Sequence, residues 1–120
     1  MKTQWIDELS QRVPLSRQPQ DLQTYGRDWT RVYVPRPSAV VFPRHAEEVC
    51  EVLSFCSRHG IAVVPSGGRT GLSAGAVAAE GELVLSLERL RHLGEVDPFG
   101  LTLTVGSGIT NHETHVHAEH

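Results

Sequence analysis

Apolar residues in this chain form short runs and one periodic segment. The runs at residues 39–42 and 61–64 have the length of buried strands, and Pro43 ends the first of them. Residues 46–59, between the two runs, have the apolar spacing of a helix with one buried face: Val49, Val52, Leu53 and Cys56. A strand, a helix and a strand with short connections predict a βαβ unit, with parallel strands and a right-handed crossover.

The ends of this helix are also marked in the sequence. Glu47 and Glu48 lie in its first turn, where the helix dipole favours acidic side chains. Arg58 and His59 suit its last turn, and Gly60 is a natural residue to follow it. We therefore expect the helix to begin close to residue 46 and to end at residue 59.

The remaining segments are shorter or less regular. A helix at residues 3–12 is predicted, with Thr3 as its cap, Pro14 as its stop and one apolar stripe: Trp5, Leu9 and Val13. Residues 15–28 look irregular, and residues 82–86 form a third apolar run. Residues 95–105 predict a hairpin around the turn at 97–100, with Leu101, Leu103 and Val105 on its buried face.

Composition indicates one small globular domain. The chain has 120 residues, 39% of them hydrophobic and 21% charged, and its net charge is -3. No basic excess points to nucleic acid. No apolar run is long enough to span a bilayer, and residues 1–9 do not resemble a signal peptide. We therefore expect a soluble, cytoplasmic protein that has no nucleic-acid partner.

The two cysteines, Cys50 and Cys56, both lie in the predicted helix. Six positions at 100° each place them about 240° apart around the helix axis, so they cannot form a disulfide with each other. We expect both to be small buried side chains in a reducing compartment.

The most informative segment follows the second apolar run. Residues 65–75 combine four glycines with serine and threonine, and such a loop can direct several backbone N–H groups at a phosphate. The loop has no lysine, which excludes the P-loop of ATPases. The glycine spacing, Gly67, Gly68, Gly71 and Gly75, also differs from the Rossmann fingerprint, although Glu88 lies at a plausible distance for a ribose ligand.

With its flanks, this loop resembles the FAD-binding domain of the vanillyl-alcohol oxidase, or PCMH, type. The branch it is similar to is the D-2-hydroxyacid dehydrogenases, which include D-lactate and D-2-hydroxyglutarate dehydrogenases and the glycolate oxidase FAD subunit. The matching segments lie in order over residues 25–110: the loop at 65–75, Tyr25 to Thr30, the strand and helix start at 37–49, the strand at 82–90, and 105–110 with Gly108.

The resemblance implies an α+β fold, namely the first subdomain of a PCMH-type domain. It would have a small parallel βαβ sheet followed by the start of an antiparallel second sheet, in a truncated chain. The implied domains are an N-terminal helix and linker at 1–24, a partial FAD-binding domain at 25–110 and a divergent tail at 111–120. The implied FAD-binding residues are Pro65, Ser66, Gly67, Gly68, Arg69, Thr70, Gly71, Leu72, Ser73, Gly75 and Gly108.

The same resemblance limits what this chain does. It implies a hydride transfer from a D-2-hydroxy acid to FAD in a full-length enzyme, whose substrate domain this chain lacks. No catalytic residue and no metal ligand is therefore assigned. No histidine lies between Gly60 and Arg91, so the loop offers no covalent link to FAD. Arg69 either helps to neutralise the diphosphate or points into solvent, and Ala74 stands where the closest relatives tend to carry glycine.

Residues 111–120 hold four of the seven histidines and only two apolar side chains, so we do not expect them to pack. A truncated or frameshifted gene product explains such a tail. The alternative is a Zn or Ni site at His112 and His115, or at His117 and His120. For the whole chain, the alternative to a piece of a flavoenzyme is a non-enzymatic module that binds a nucleotide or a metal, or an inactive gene product.

Overall fold

The computed structural model describes residues 4–119 of the chain. The predicted cap at Thr3 and the ligand proposed at His120 lie outside these residues. The helices and strands follow one another in this order: α1 Gln4–Ser10, β1 Leu15–Ser16, α2 Pro19–Tyr25, β2 Ala39–Val41, α3 Ala46–His59, β3 Val63–Ser66, β4 Leu83–Ser86 and α4 Asn111–Ala118. The predicted α+β class is confirmed.

Four strands form one mixed sheet in the order β1-β2-β4-β3. Strands β2 and β3 are both parallel to β4, which confirms that the two strands flanking α3 run in the same direction. They are not neighbours, however, because β4 lies between them. Strand β4 takes this central place because all four of its side chains are buried, whereas those of β3 are mostly half-buried or exposed.

The sheet has an apolar layer on each face. Alternate residues of β2 and β4 point to opposite faces, as the pleat requires. One face packs on α1 and α3, with a core of Ile6, Leu9, Val13, Ala39, Val41, Val52, Phe55, Cys56, Leu83 and Leu85. The other face packs on α2 and the segment after the glycine loop, with a smaller core of Val40, Phe42, Ala78 and Val84.

Helix α3 confirms the predicted ends, and Gly60 follows it at φ 65. Its buried stripe differs in part from the prediction. Val52 and Cys56 are buried, but Leu53 is 46% exposed and Phe55 takes its place in the core. Cys50, expected to be buried, is exposed on the opposite side, and both cysteines are free. The apolar face is therefore turned toward Phe55, the larger side chain.

The N-terminal quarter is more regular than expected. Residues 15–28 were predicted to be irregular, but they contain β1, which pairs with β2 in an antiparallel register, and α2, which begins at Pro19. A strand of two residues has no hydrophobic period to detect. Helix α1 is shorter than the predicted 3–12, and Ile6 is buried beside Leu9 while Trp5 is half-buried.

The predicted hairpin forms only in part. Antiparallel bridges join Leu93 to Val105 and Asp97 to Thr102, but no continuous strand is formed among the described residues of this segment. The turn itself is as expected, because the Asp97 carboxylate accepts hydrogen bonds from the N–H groups of the turn. Leu101 was predicted to be buried but is 84% exposed, at φ 54.

The histidine-rich segment also differs from expectation, because residues 111–118 form helix α4. Thr110 and Glu113 make a capping box at its start. No residue of α4 is buried, but His117 Nε2 lies 2.8 Å from the Gly94 carbonyl oxygen and attaches the helix to the hairpin. Among residues 4–119, no helix has the length and apolar character needed to cross a bilayer.

Candidate functional site: a cleft beside the glycine loop

The glycine loop begins at the end of β3, the edge strand of the sheet. Strand β3 ends at Ser66, two residues later than predicted, so Pro65 and Ser66 belong to the strand. Proline is tolerated there because an edge strand pairs on one side only. Ser66 is fully buried, and its Oγ has no hydrogen-bond partner among the described residues. An unsatisfied hydroxyl therefore lies immediately before Gly67.

The backbone of the loop has free donors. In the part of the chain that the structure describes, no N–H of residues 67–73 donates a hydrogen bond, whereas the next one, that of Ala74, does. All of these residues except Arg69 are exposed, so their N–H groups face solvent. These groups are available to an anionic ligand.

The loop glycines also leave space around this backbone. A Cβ atom built on Gly67, Gly68, Gly71 or Gly75 would meet nothing within 4 Å, and none of the four has a positive φ. Neither packing nor backbone conformation within the described chain requires glycine at these positions. Their lack of side chains instead gives a ligand direct access to the backbone.

One cleft of about 460 Å³ brings the loop and the predicted Gly108 together. The predicted residues that line it are Gly67, Gly68, Arg69, Thr70 and Gly108. The opposite wall comes from the segment that leads into α4, and the remaining lining residues are Glu88, Arg91, Ser107, Ile109, Thr110 and Asn111. The other predicted binding residues do not line this cleft: Pro65, Ser66, Gly71, Leu72, Ser73 and Gly75.

Gly108 differs from the loop glycines because the chain itself requires it. A Cβ atom on Gly108 would lie 2.4 Å from the Leu87 carbonyl oxygen and 2.6 Å from that of Glu88. Such distances are too short for any side chain, so the absence of Cβ lets two backbone segments touch. The Gly108 carbonyl oxygen accepts a hydrogen bond of 3.0 Å from Arg91.

The charged side chains of the cleft are each held by neighbouring groups of the chain. The Arg69 guanidinium lies 4.5 Å from the centre of the Tyr25 ring and donates to the Gly67 carbonyl oxygen at 3.2 Å. It is therefore half-buried on an aromatic ring, and it borders the cleft instead of extending into solvent. The Tyr25 hydroxyl donates to the Glu88 carboxylate. Burial and then this carboxylate raise the pKa of Tyr25 to about 12.

Arg91 fixes the wall opposite the loop. It donates to the Gly108 carbonyl oxygen and to the Glu113 carboxylate in the first turn of α4. The pKa of Glu113 is lowered, first by the backbone N–H of Thr110 and also by Arg91. The first turn of α4 is thereby held at the mouth of the cleft.

Asp28 orders the second half of the loop. This carboxylate is 4% exposed; it accepts hydrogen bonds from Thr30 and, at 3.1 Å, from the N–H of Ala74. The Thr30 hydroxyl is the main cause of its lowered pKa. Ala74 has φ 64, a left-handed conformation that glycine adopts more easily than alanine.

Of the polar and charged side chains just described, Arg69 alone was predicted as a site residue. Tyr25 and Asp28 belonged to a segment noted only for its resemblance to a family. Glu88 was weighed as a ribose ligand, and Arg91 had no signal at all. These four act through contacts far apart in sequence, which local patterns do not reveal. Among residues 4–119, no three His, Cys, Asp or Glu side chains lie close enough together to hold a metal ion.

The sequence matches the family described as FAD binding domain over residues 37–120, which is more than half of the chain. D-2-hydroxyglutarate dehydrogenase of Xanthomonas citri pv. viticola is 51% identical over 113 residues, 92% of this chain and 24% of that protein. Glycolate oxidase subunit GlcD of Bacillus subtilis is 38% identical over 85 residues, 71% of this chain and 18% of that protein. The chain thus spans a quarter or less of the length of these relatives.

Solved structures agree on the fold. P-cresol methylhydroxylase with bound substrate superposes with a TM-score of 0.81 at 18% identity, covering 98% of this chain and 24% of that one. Xylooligosaccharide oxidase from Myceliophthora thermophila C1 superposes with a TM-score of 0.76 at 24% identity, covering 95% of this chain and 25% of that one. The family match also runs through the histidine-rich segment to residue 120.

The resemblance to D-2-hydroxyacid dehydrogenases and the expected cofactor are confirmed by these matches. The division into 1–24, 25–110 and 111–120 stays a prediction. The free N–H groups and the open glycine backbone fit a diphosphate. The chain belongs to the family of FAD binding domains, with the fold of the p-cresol methylhydroxylase type, and FAD is its cofactor.

Proposed function

We propose that the glycine loop holds the diphosphate of FAD without a covalent bond. On this proposal, the chain is the part of a flavin-dependent oxidoreductase that fixes the cofactor while the enzyme oxidises a D-2-hydroxy acid. The observation that carries the proposal is the run of free N–H groups at residues 67–73, next to a cleft of about 460 Å³. When bound, FAD supplies the hydride acceptor, and the protein supplies binding and orientation.

Each wall of the cleft has a role in this proposal. The loop backbone donates hydrogen bonds to the diphosphate from the N–H groups that are free at residues 67–73. Arg69 adds a positive charge at the edge of the cleft while its contact with Tyr25 keeps it in place. The opposite wall at Gly108 to Asn111 closes the cleft and excludes water from one side of the ligand.

Two features support non-covalent binding through this part of the protein. The loop contains no histidine. The cleft lining of loop, Glu88, Arg91 and residues 107–111 contains no histidine, cysteine or tyrosine among the described residues. We accordingly expect acid precipitation of the loaded protein to release all of the flavin into the supernatant.

Binding is tested directly on the 120-residue chain. Thermal unfolding and calorimetric titration with FAD, ADP and riboflavin should show that FAD and ADP bind and that riboflavin, which has no phosphate, does not. Gly68→Leu should abolish binding at an unchanged melting temperature, because the new side chain fills open space above the backbone. Ser54→Leu on the exposed face of α3 is the matched control.

The oxidation is tested in a chimera in which residues of this chain replace the matched 113 residues of the Xanthomonas citri relative. We expect the chimera to retain FAD and its flavin to be reduced by D-2-hydroxyglutarate without oxygen. A chimera that retains FAD but is reduced by no D-2-hydroxy acid contradicts the oxidoreductase proposal and favours a module that only binds nucleotide. Absence of FAD and ADP binding in both proteins contradicts the diphosphate proposal. The cytoplasmic location and the absence of a nucleic-acid partner stay predictions.

A further inference from the structure

Asp28 makes one hydrogen bond to the glycine loop in addition to those of a turn residue. One carboxylate oxygen, Oδ1, accepts from the Thr30 N–H at 3.0 Å and from the Thr30 hydroxyl at 2.6 Å. These two bonds are those of an ordinary turn that begins with aspartate. The other oxygen, Oδ2, accepts at 3.1 Å from the N–H of Ala74, which is 46 residues away. This second bond joins the turn to the loop.

Neighbouring backbone groups extend this connection along the loop. The Trp29 N–H donates to the Gly71 carbonyl oxygen at 3.3 Å, and the Ala78 N–H donates to the Gly26 carbonyl oxygen at 2.9 Å. Residues 26–29 therefore contact the loop at three points between residues 71 and 78. The bond to Asp28 is the central one, and it is the one that depends on a side chain.

The conformation of Ala74 shows why a buried carboxylate is useful here. Ala74 has φ 64, where its Cβ is crowded by the following carbonyl group. A charged acceptor makes a stronger hydrogen bond to an N–H than a neutral one, so Asp28 can stabilise a backbone that alanine alone disfavours. The lowered pKa of Asp28 keeps this acceptor ionised.

Asp28 lies on the side of the loop away from the binding cleft. It is absent from the lining of that cleft, and it borders a separate hollow of about 180 Å³ together with Arg27, Arg31 and Arg69. Its carboxylate therefore lies outside the place proposed for the diphosphate. Asp28 is suited to hold the loop and not to contact the ligand.

We infer that Asp28 is a positioning residue of the diphosphate loop. Its carboxylate holds the Ala74 N–H and the left-handed turn at Ala74, and this keeps the N–H groups of residues 67–73 free for a ligand instead of pairing within the chain. The inference rests on the proposed function for the identity of the ligand. The effect on the loop itself requires no ligand and is tested separately.

The test compares four proteins: wild type, Asp28→Asn, Ala74→Gly and the double variant. Asparagine keeps the size of Asp28 but loses the charge. Asp28→Asn should weaken FAD binding about tenfold in the wild-type background, which corresponds to about 1.4 kcal/mol. In the Ala74→Gly background the loss should be threefold or less, because glycine adopts a positive φ without help. Equal losses in the two backgrounds, or no loss, would overturn the inference.

Amide hydrogen exchange of the ligand-free 120-residue chain gives an independent readout. In Asp28→Asn, exchange at the hydrogen-bonded amides of Ala74, Val77 and Ala78 should become at least about tenfold faster while α3 is unchanged. Unchanged exchange at these three amides, or equally faster exchange in α3, would contradict a positioning role. Asp21→Asn is the matched control, because Asp21 accepts from the Ser16 hydroxyl at 2.5 Å and does not contact the loop.

The same variants are also made in the chimera with the Xanthomonas citri relative, where the rest of the enzyme surrounds the loop. Failure of the wild-type chain and chimera to bind FAD refutes the proposed function, and the exchange experiment then still decides the role of Asp28. Normal FAD binding by Asp28→Asn together with unchanged exchange refutes the positioning role and leaves the proposed function intact.

Discussion

Replacing Gly108 by alanine separates the two kinds of glycine in the cleft. A Cβ atom at this position would lie 2.4 Å from the Leu87 carbonyl oxygen and 2.6 Å from that of Glu88. Both neighbours are backbone atoms, so the contact can be relieved only if one chain segment moves by several tenths of an ångström. Small-to-large changes in a tightly packed place cost about 1–3 kcal/mol. Gly108→Ala should therefore lower stability whether or not FAD is present.

For a domain of this size, each kcal/mol changes the melting temperature by about 4 °C. Gly108→Ala should consequently melt about 4–12 °C below wild type in calorimetry or circular dichroism. Gly68→Ala is the matched comparison, because its Cβ would meet nothing within 4 Å and its φ is not positive. That variant should keep the wild-type melting temperature or exceed it slightly, since alanine restricts the unfolded chain.

The effects of the two variants on FAD affinity should be the reverse of their effects on stability. A methyl group on Gly68 separates the loop backbone from the diphosphate, so Gly68→Ala should weaken FAD binding about tenfold, or 1.4 kcal/mol. Gly108→Ala should affect binding mainly through stability, which calorimetric titration well below its melting temperature distinguishes. Normal stability of Gly108→Ala, or an equal loss of stability in Gly68→Ala, would refute the distinction between the two kinds of glycine.

Two further predictions concern pH. Two bonds from the Arg44 side chain and one from its N–H lower the pKa of Glu48 from 4.5 to about 2, so the folded state favours the carboxylate. Glu48→Gln should therefore lower the free energy of unfolding by about 1–2 kcal/mol at pH 7, and this difference from wild type should disappear as the pH falls from about 4.5 to about 2. The control Glu47→Gln, at an exposed position, should have almost no effect on stability. The pKa of Tyr25 is raised from 10.0 to about 12, so the folded state favours the neutral phenol. The free energy of unfolding of the wild type should therefore fall as the pH rises from 10 to about 12. Urea unfolding measured across this pH range should show the fall in the wild type and not in Tyr25→Phe.

The parts of the fold that the sequence predicts well are those fixed by neighbouring residues. Helix α3 has the predicted ends because acidic residues at its start and Gly60 at its end act within one turn. The position of β4 between β2 and β3 was not predicted, because it depends on which strand is buried on both faces of the sheet. Two local signals were nevertheless present: β4 is apolar at Leu83, Val84 and Leu85, as a central strand requires, and Pro65 in β3 is compatible only with an edge strand.

In the site, too, the features fixed by neighbouring residues were predicted and those that depend on tertiary contacts were not. The glycine spacing predicts the loop, because open backbone requires only residues without side chains. The groups that hold the loop in place are distant from it in sequence. Asp28 contacts Ala74 across 46 positions. Tyr25 contacts Arg69 of the loop and donates to Glu88, which is 63 positions from Tyr25. Arg69 illustrates the limit: its charge is evident from the sequence, but its place on the Tyr25 ring requires the tertiary fold.

Helix α4 shows that composition can hide a local signal. The threonine, two residues and glutamate of a capping box stand at Thr110 and Glu113, and this pattern predicts a helix start. The histidines that follow suggested a segment without packing, and no side chain of α4 is indeed buried. Yet Thr110 and Asn111 line the cleft, and Arg91 joins Glu113 to the Gly108 carbonyl. The histidine-rich segment thus contributes a wall of the cleft through its first turn and not through its histidines. The sequence of that turn is the sequence of an ordinary capped helix.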